Sequence, residues 1–328
     1  MYELQPKQQP VASAEKPSGK VLIISGPTAT GKTKLAISVA KALNGEVISA
    51  DSMQVYRGMD IGTAKVTLAE SQGIPHHLID ICDISEPHNV MDFYNEATHC
   101  AHDIIRRGKV PIVAGGTGFY IHALIYGPPQ GPPSVPAIRE KIEADMLKYG
   151  TERLYEKLRE YDPEYAATVT HNDRHKIIRA LEIIAITGKK VSDFAPNEAG
   201  QTTGEFDFHC WFVHLAKEVL YDRIDERTEE MIQQGFIEEV KRLESEGLSE
   251  NLTAAGAIGY RQCLEYLKTS QTEGDYESFV TAFKRASRRY AKRQFTWFRK
   301  EPLFNWLNLS RYDTHQATEI IVREFEGR

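Results

Sequence analysis

Gly26-Pro27-Thr28-Ala29-Thr30-Gly31-Lys32-Thr33 fits the phosphate-loop pattern G-x-x-x-x-G-K-[ST]. The apolar run Val21–Ile24 before it reads as a strand. Leu35, Val39 and Leu43 follow at spacings of four and read as a helix. That strand–loop–helix context is what the pattern requires. Its glycines let successive backbone N–H groups converge on an anion, and the new helix aims its positive dipole end at the same point. Lys32 adds a full charge, and the Thr33 hydroxyl can ligate Mg²⁺. The loop therefore predicts a bound di- or triphosphate without saying which bond breaks.

The bulk composition is that of a globular chain with about two structural units in 328 residues, 41% hydrophobic and 26% charged. A net charge of −6 argues against coating nucleic acid by overall charge, but leaves room for a local basic face. Cys82, Cys100, Cys210 and Cys263 are scattered, with no zinc spacing, and read as reduced thiols in a cytoplasm. Residues 1–19 are polar and read as a disordered tail. No apolar stretch approaches the roughly 20 residues that span a bilayer, so no membrane association is expected.

Outward from the loop, strands and helices alternate. Residues 46–50, a weaker candidate at His77–Ile81, and Val110–Ala114 read as strands, and Asp92–Arg107 as a helix. This predicts an α/β fold with a P-loop-type parallel sheet, helices on both faces, and ligands beyond the carboxyl ends of the strands. The loop, Asp51 and Thr117 all fall at such ends. Gly127–Pro136 is rich in Pro and Gly and reads as a hinge. A helical insertion is expected over 128–205, with apolar stripes such as Ile177/Leu181/Ile184. The core, begun over 20–127, resumes at 206–328 with a strand at Phe208–Leu215 and mostly helices thereafter.

Asp51 ends its strand beside the loop. A carboxylate there can take a proton from a nucleophile, cap a helix, or hold Mg²⁺ through water. Thr117 can bond a phosphate or cap a helix. Arg223 and Arg227 share a helix face at spacing four, either as a solvated ion-pair face or with one aimed at a leaving pyrophosphate. The long helix over about Tyr276–Lys300 carries Lys284, Arg285, Arg288, Arg289, Lys292, Arg293, Arg299 and Lys300, interleaved with Tyr290, Phe295, Trp297 and Phe298. Basic charge plus stacking rings is the combination that RNA binding uses. Asn172–Arg179 is a second basic cluster, inside the insertion.

Together these segments resemble the bacterial tRNA dimethylallyltransferases from about Lys20 to Trp306. The resemblance rests on the phosphate loop, Asp51–Lys65, Gly115-Gly116-Thr117, Arg174–Glu182, Ala257-Ile258-Gly259-Tyr260-Arg261 and Lys292–Arg299. The second and last of these are the most diagnostic. It implies transfer of a dimethylallyl group from dimethylallyl diphosphate to N6 of the adenosine 3′ of the anticodon, with Mg²⁺. It also implies Asp51 as general base, Thr33 on the diphosphate, and Arg227 and Lys32 stabilising the leaving group. Contacts to the tRNA anticodon stem-loop are implied for Asp51, Ser52, Met53, Gln54, Thr117, Arg139, His175, Lys176, Arg179, Gly259, Tyr260, Arg261, Lys292, Arg293, Gln294, Phe295, Thr296, Trp297 and Arg299. Gly256 stands where some relatives have an arginine. No obligate protein partner is evident, which leaves a monomer open.

The chemistry is coherent. The exocyclic amine of adenine is a weak nucleophile and needs a base near its N–H, while charge accumulates on the departing pyrophosphate. Three rivals share parts of this pattern: a small-molecule kinase, a prenyltransferase acting on free adenine nucleotide, and a non-catalytic RNA-binding protein.

Overall fold

The computed structural model describes residues 19–194 and 202–327. The expected tail lies outside them, apart from Gly19. Two compact units emerge, residues 128–201 and the remainder of the chain. In chain order the first elements are β1 (Lys20–Ser25), α1 (Lys32–Leu43), β2 (Gly45–Ser49), α2 (Leu68–Ser71), β3 (His76–His77) and α3 (Val90–Arg106). β4 (Val110–Gly115) and α4 (Gly118–Tyr126) complete the first stretch of the larger unit. The smaller unit holds α5 (Pro136–Tyr149), α6 (Thr151–Tyr161), α7 (Pro163–Ala166) and α8 (Arg174–Thr187). The larger unit resumes with β5 (Asp207–His214), α9 (Lys217–Gln233), α10 (Phe236–Ser245), α11 (Leu252–Ala255) and α12 (Tyr260–Leu267). It ends with α13 (Glu273–Phe298), β6 (Phe304–Asn308) and α14 (Thr314–Glu326).

The six strands form one parallel sheet in the order β3-β2-β4-β1-β5-β6. Its central strands are apolar on both faces, as a parallel sheet covered by helices demands. Leu22 and Ile24 of β1 join a core with Leu35 and Val39 of α1 and Ile321 and Phe325 of α14. Val21 and Ile23 face the other way, into a core with Phe93 of α3, Leu124 of α4 and Phe298 of α13. A third core packs Val55, Tyr56 and Met59 of the segment after β2 against Phe236, Val240, Tyr260 and Phe283. It lies in the helical layer contributed by α10, α12 and α13, and it holds the Asp51–Lys65 segment in place.

Two expectations are corrected. The strand expected at His77–Ile81 is only His76–His77, because Leu78 and Asp80 take left-handed φ of 61° and 56° that turn the chain out of the sheet. Residues 202–205, expected in the insertion, belong to the larger unit: the Thr203 amide donates to the Ile125 carbonyl at 3.0 Å, and Glu205 pairs with His102 at 2.7 Å. The smaller unit has its own core, in which Met146, Leu154, Leu158 and Ile177 meet.

Candidate active site

The phosphate loop leaves β1 at Ser25. Gly26 is obligatory there, since a Cβ would lie 2.2 Å from the Val213 carbonyl oxygen at the end of β5. Ala29 and Gly31 take left-handed φ of 64° and 89°, which curls the backbone inward. The Thr30 hydroxyl and the Lys32 ammonium both donate to the Pro27 carbonyl, at 2.8 and 2.7 Å. Pro27 offers no N–H, so the anion-facing donors come from the later residues of the loop. Desolvation, followed by the Arg227 guanidinium, pulls the Lys32 pKa down to about 7, with the Asp51 carboxylate opposing. These three charges therefore share one neighbourhood.

Asp51 follows β2, which is fastened to the end of β4: the Ala50 amide donates to Ala114 at 2.9 Å and the Thr117 amide to Ala50 at 3.2 Å. Asp51 Oδ1 accepts from the Met53 amide at 2.9 Å, turning the chain and leaving the second oxygen free of that turn. Thr117 precedes α4 but makes no capping bond. Its hydroxyl accepts from the Ser52 amide at 3.1 Å, so it braces the Asp51 turn.

A cavity of about 270 Å³ opens beside these groups. Thr28, Asp51, Ser52, Arg227, Tyr290 and Arg293 are polar residues of its lining, with Ala29 of the loop beside them. Ile224, Met231, Ala257, Ile258 and Phe283 are apolar residues of the same lining. Arg227 is half-buried at the cavity whereas Arg223 is exposed, which decides between the two. Burial lowers the Arg227 pKa, with Asp51 the largest opposing influence. Tyr290 is held protonated by burial, and then by the Asp51 charge, which push its hydroxyl pKa upward. Its ring lies 5.4 Å under the Arg293 guanidinium. Thr28 and Tyr290 are expected from the sequence as a phosphate-loop residue and an RNA-facing ring, whereas Met231 and Phe283 are not expected at the site. The only sequence signal for Phe283 is the helical spacing 283, 287, 290 on α13.

Several residues expected to face RNA are instead committed within the fold. Tyr260 is fully buried and donates to Glu239 at 2.6 Å. Gly259 is buried with φ of 90°, and a Cβ there would meet the Phe283 ring at 2.5 Å. Gln294 is 4% exposed and bonds Thr28 and Gly116. Gln54 accepts from the Ser49 hydroxyl at 2.9 Å and donates to the Thr63 carbonyl at 3.1 Å. Phe295 packs on Phe212, His214 and Trp306. In the smaller unit Arg179 bonds Glu182 and the Pro132 carbonyl, and Arg139 pairs with Glu143 at 2.9 Å, while His175 and Lys176 are exposed.

The α13 face is resolved into two stripes. Lys284 pairs with Glu229 and Arg288 with Asp225, both on α9. Arg285, Arg289, Lys292, Thr296 and Arg299 recur at three and four residues on an exposed face, beside Arg293 and Trp297. Arg261 is also exposed, 4.0 Å from Glu265.

Mg²⁺ prefers hard oxygen ligands and usually keeps water while binding substrate phosphates. The described residues contain no group of three His, Cys, Asp or Glu able to hold a metal by themselves. Thr33 Oγ1, exposed on the first turn of α1, is a hard oxygen beside the loop. That donor set fits a cation carried largely by a diphosphate. No helix among the described residues is long and apolar enough to cross a membrane.

The chain matches the family model for IPP transferase over residues 54–301. It is 51% identical over 325 residues to the tRNA dimethylallyltransferase of Protochlamydia amoebophila strain UWE25, covering 99% of this chain and 94% of that protein. It is 47% identical over 305 residues to the tRNA dimethylallyltransferase of Chlamydia pneumoniae, covering 93% and 89%. Among solved structures it resembles the tRNA isopentenylpyrophosphate transferase of Bacillus halodurans, with 40% identity, a TM-score of 0.68 and coverage of 94% and 97%. It also resembles a eukaryotic dimethylallyltransferase acting on tRNA, with 30% identity, a TM-score of 0.77 and coverage of 95% and 80%.

Proposed function

Because the chain belongs to the tRNA dimethylallyltransferase family, we propose that its cavity transfers a dimethylallyl group from dimethylallyl diphosphate to N6 of the adenosine 3′ of the anticodon in tRNA, releasing pyrophosphate. The enzyme is a transferase. The observation that carries the reading is the cavity itself, whose lining brings Asp51 and Arg227 together with the phosphate-loop residues Thr28 and Ala29 and with apolar groups.

In this reading the diphosphate lies against the N–H groups of Ala29–Thr33, with Lys32 and Arg227 on its oxygens and the five-carbon tail against the apolar lining residues. The tRNA backbone runs along the exposed basic face of α13, and the target base leaves its stack to enter the cavity, at a cost of a few kcal/mol. Asp51 removes a proton from N6 as nitrogen attacks the allylic carbon. Charge then builds on the leaving oxygen, where each fixed donor contributes about 3–4 kcal/mol. Thr33 Oγ1 would help to hold Mg²⁺, which would supply further neutralisation of that charge.

The test is incubation with labelled dimethylallyl diphosphate and an unmodified anticodon stem-loop RNA. Label on the RNA supports the reading. Label on free AMP but not on RNA supports an acceptor that is a nucleotide. No label on RNA, together with phosphoryl transfer from ATP, supports a kinase.

A further inference from the structure

Glu239 of α10 is an internal carboxylate, 7% exposed, with no ion-pair partner among the described residues. Its oxygens accept four hydrogen bonds. Oε2 takes the Asp60 and Ile61 amides at 3.0 and 2.7 Å, and Oε1 takes the Gly62 amide at 3.2 Å and the Tyr260 hydroxyl at 2.6 Å. Three successive N–H groups make an anion cradle, and the anion it holds belongs to the protein. Gly62 and Thr63 line the cavity from one segment, and Ala257, Ile258 and Tyr260 line it from another. One carboxylate therefore fastens both.

The segment held by Glu239 is also bonded within itself and, through Gln54, Val55, Arg57 and Lys65, to residues 80–83. The Thr63 hydroxyl donates to Met59, Gln54 to Thr63, and the Lys65 ammonium to Tyr56 and Asp60. Asp51 stands at the start of this bonded segment, with its turn also braced by Thr117. Arg242, one turn after Glu239, adds a bond to the Gly58 carbonyl at 2.9 Å. Packing under Gly62 is also tight, since a Cβ there would meet the Phe236 ring at 2.4 Å.

We propose that Glu239 is a positioning residue for transfer: by holding the 60–62 amides and Tyr260 together, it sets the Asp51 segment against the helical wall of the cavity. The inference rests on the reading of this cavity as the site of transfer. Glutamine at 239 would turn an NH₂ group toward donors it cannot accept from, so the walls would separate by a fraction of an ångström. Misplacement on that scale costs catalysis far more than it costs binding.

The experiment compares Glu239→Gln, Tyr260→Phe and Glu46→Gln in dimethylallyl transfer to anticodon stem-loop RNA, at a temperature where each is folded. Glu46 of β2 is a comparably buried carboxylate, bonded to Arg107, Lys109 and His77, and does not line the cavity. E239Q is expected to lower kcat by about tenfold or more with KM for RNA nearly unchanged. Y260F, which keeps the ring and loses only the donor, is expected to lower kcat a few-fold. E46Q is expected to lower Tm with kcat intact. An unchanged kcat in E239Q overturns the inference, and if E239Q does not fold, an unchanged kcat in Y260F overturns it. A parallel loss of kcat in E46Q also overturns it, because the effect would then be general destabilisation. Absence of transfer by the wild-type protein would instead refute the reading of the site.

Discussion

Gln294 Oε1 accepts a hydrogen bond from the Thr28 amide at 3.1 Å, so the basic helix α13 grips the phosphate loop. The same side chain donates through Nε2 to the Gly116 carbonyl at 3.0 Å. One amide thus joins the loop after β1, the turn after β4 and α13. A methyl at Gly116 would stand 2.2 Å from Gln294 Nε2, so there is no slack in this junction.

Gln294→Ala leaves the Thr28 amide without its partner and the Gly116 carbonyl with only the Tyr290 hydroxyl, at 3.5 Å. Groups of that kind cost about 1–3 kcal/mol each when stranded. Urea unfolding should show a loss of that order, and KM for dimethylallyl diphosphate should rise as the loop loosens. A midpoint equal to that of the wild type would show that the junction adds nothing to stability.

Arg227→Ala should lower kcat/KM by about 10²–10³, the cost of removing one donor from a developing oxyanion. Arg223→Ala should stay within about twofold, since Arg223 is exposed and does not line the cavity. Steady-state kinetics of the pair would reject the assignment if the two losses were equal.

Lys32 carries the pH dependence of diphosphate binding. Its pKa is lowered to about 7 in the free protein, and a bound anion raises it again. Binding must then take up a proton above pH 7. Affinity should be flat below that pH and fall by up to about tenfold per unit above it. Calorimetric titration with inorganic pyrophosphate at pH 6.5, 7.5 and 8.5 reads this directly. Lys32→Arg, which stays charged throughout, should flatten the profile, and a slope that survives in K32R would assign the titration elsewhere.

Lys292 and Arg299 lie on the open stripe of α13, whereas Lys284 and Arg288 are paired with α9. Charge reversal of the first two should weaken RNA binding and reduce its salt slope by about 0.7–0.9 for each phosphate that is no longer neutralised. Neutralising Lys284 and Arg288 should change that slope less. Equal slopes in the two double variants would remove the distinction between the stripes.

Local patterns made most of the fold legible. The phosphate loop, the strand ends at Asp51 and Thr117, and the helical stretch after the Pro-rich hinge each follow from spacing within a few residues. Long-range packing was not legible. Arg223 and Arg227 are equivalent by helical spacing; the resemblance implies Arg227, and the neighbours of α9 agree. Tyr260 and Gln294 look like exposed polar positions until the Glu239 carboxylate and the Gly116 turn are placed beside them. Glu239 itself carries no sequence signal, because it sits next to Glu238 in an acid-rich stretch. Thr117 resembles a helix cap by position, yet its hydroxyl serves Ser52, since α4 begins where β4 has already tied down the backbone.

The central claim is that Asp51 acts on the acceptor amine at a cavity shared with the diphosphate. It is tested most directly by single-turnover transfer from labelled dimethylallyl diphosphate to a saturating anticodon stem-loop RNA, comparing wild type with Asp51→Ala. The predicted result is label on the adenosine with wild type, transfer abolished in D51A, and RNA affinity within a few-fold of wild type. Transfer by D51A at the wild-type rate, or loss of RNA binding in step with loss of transfer, would contradict it.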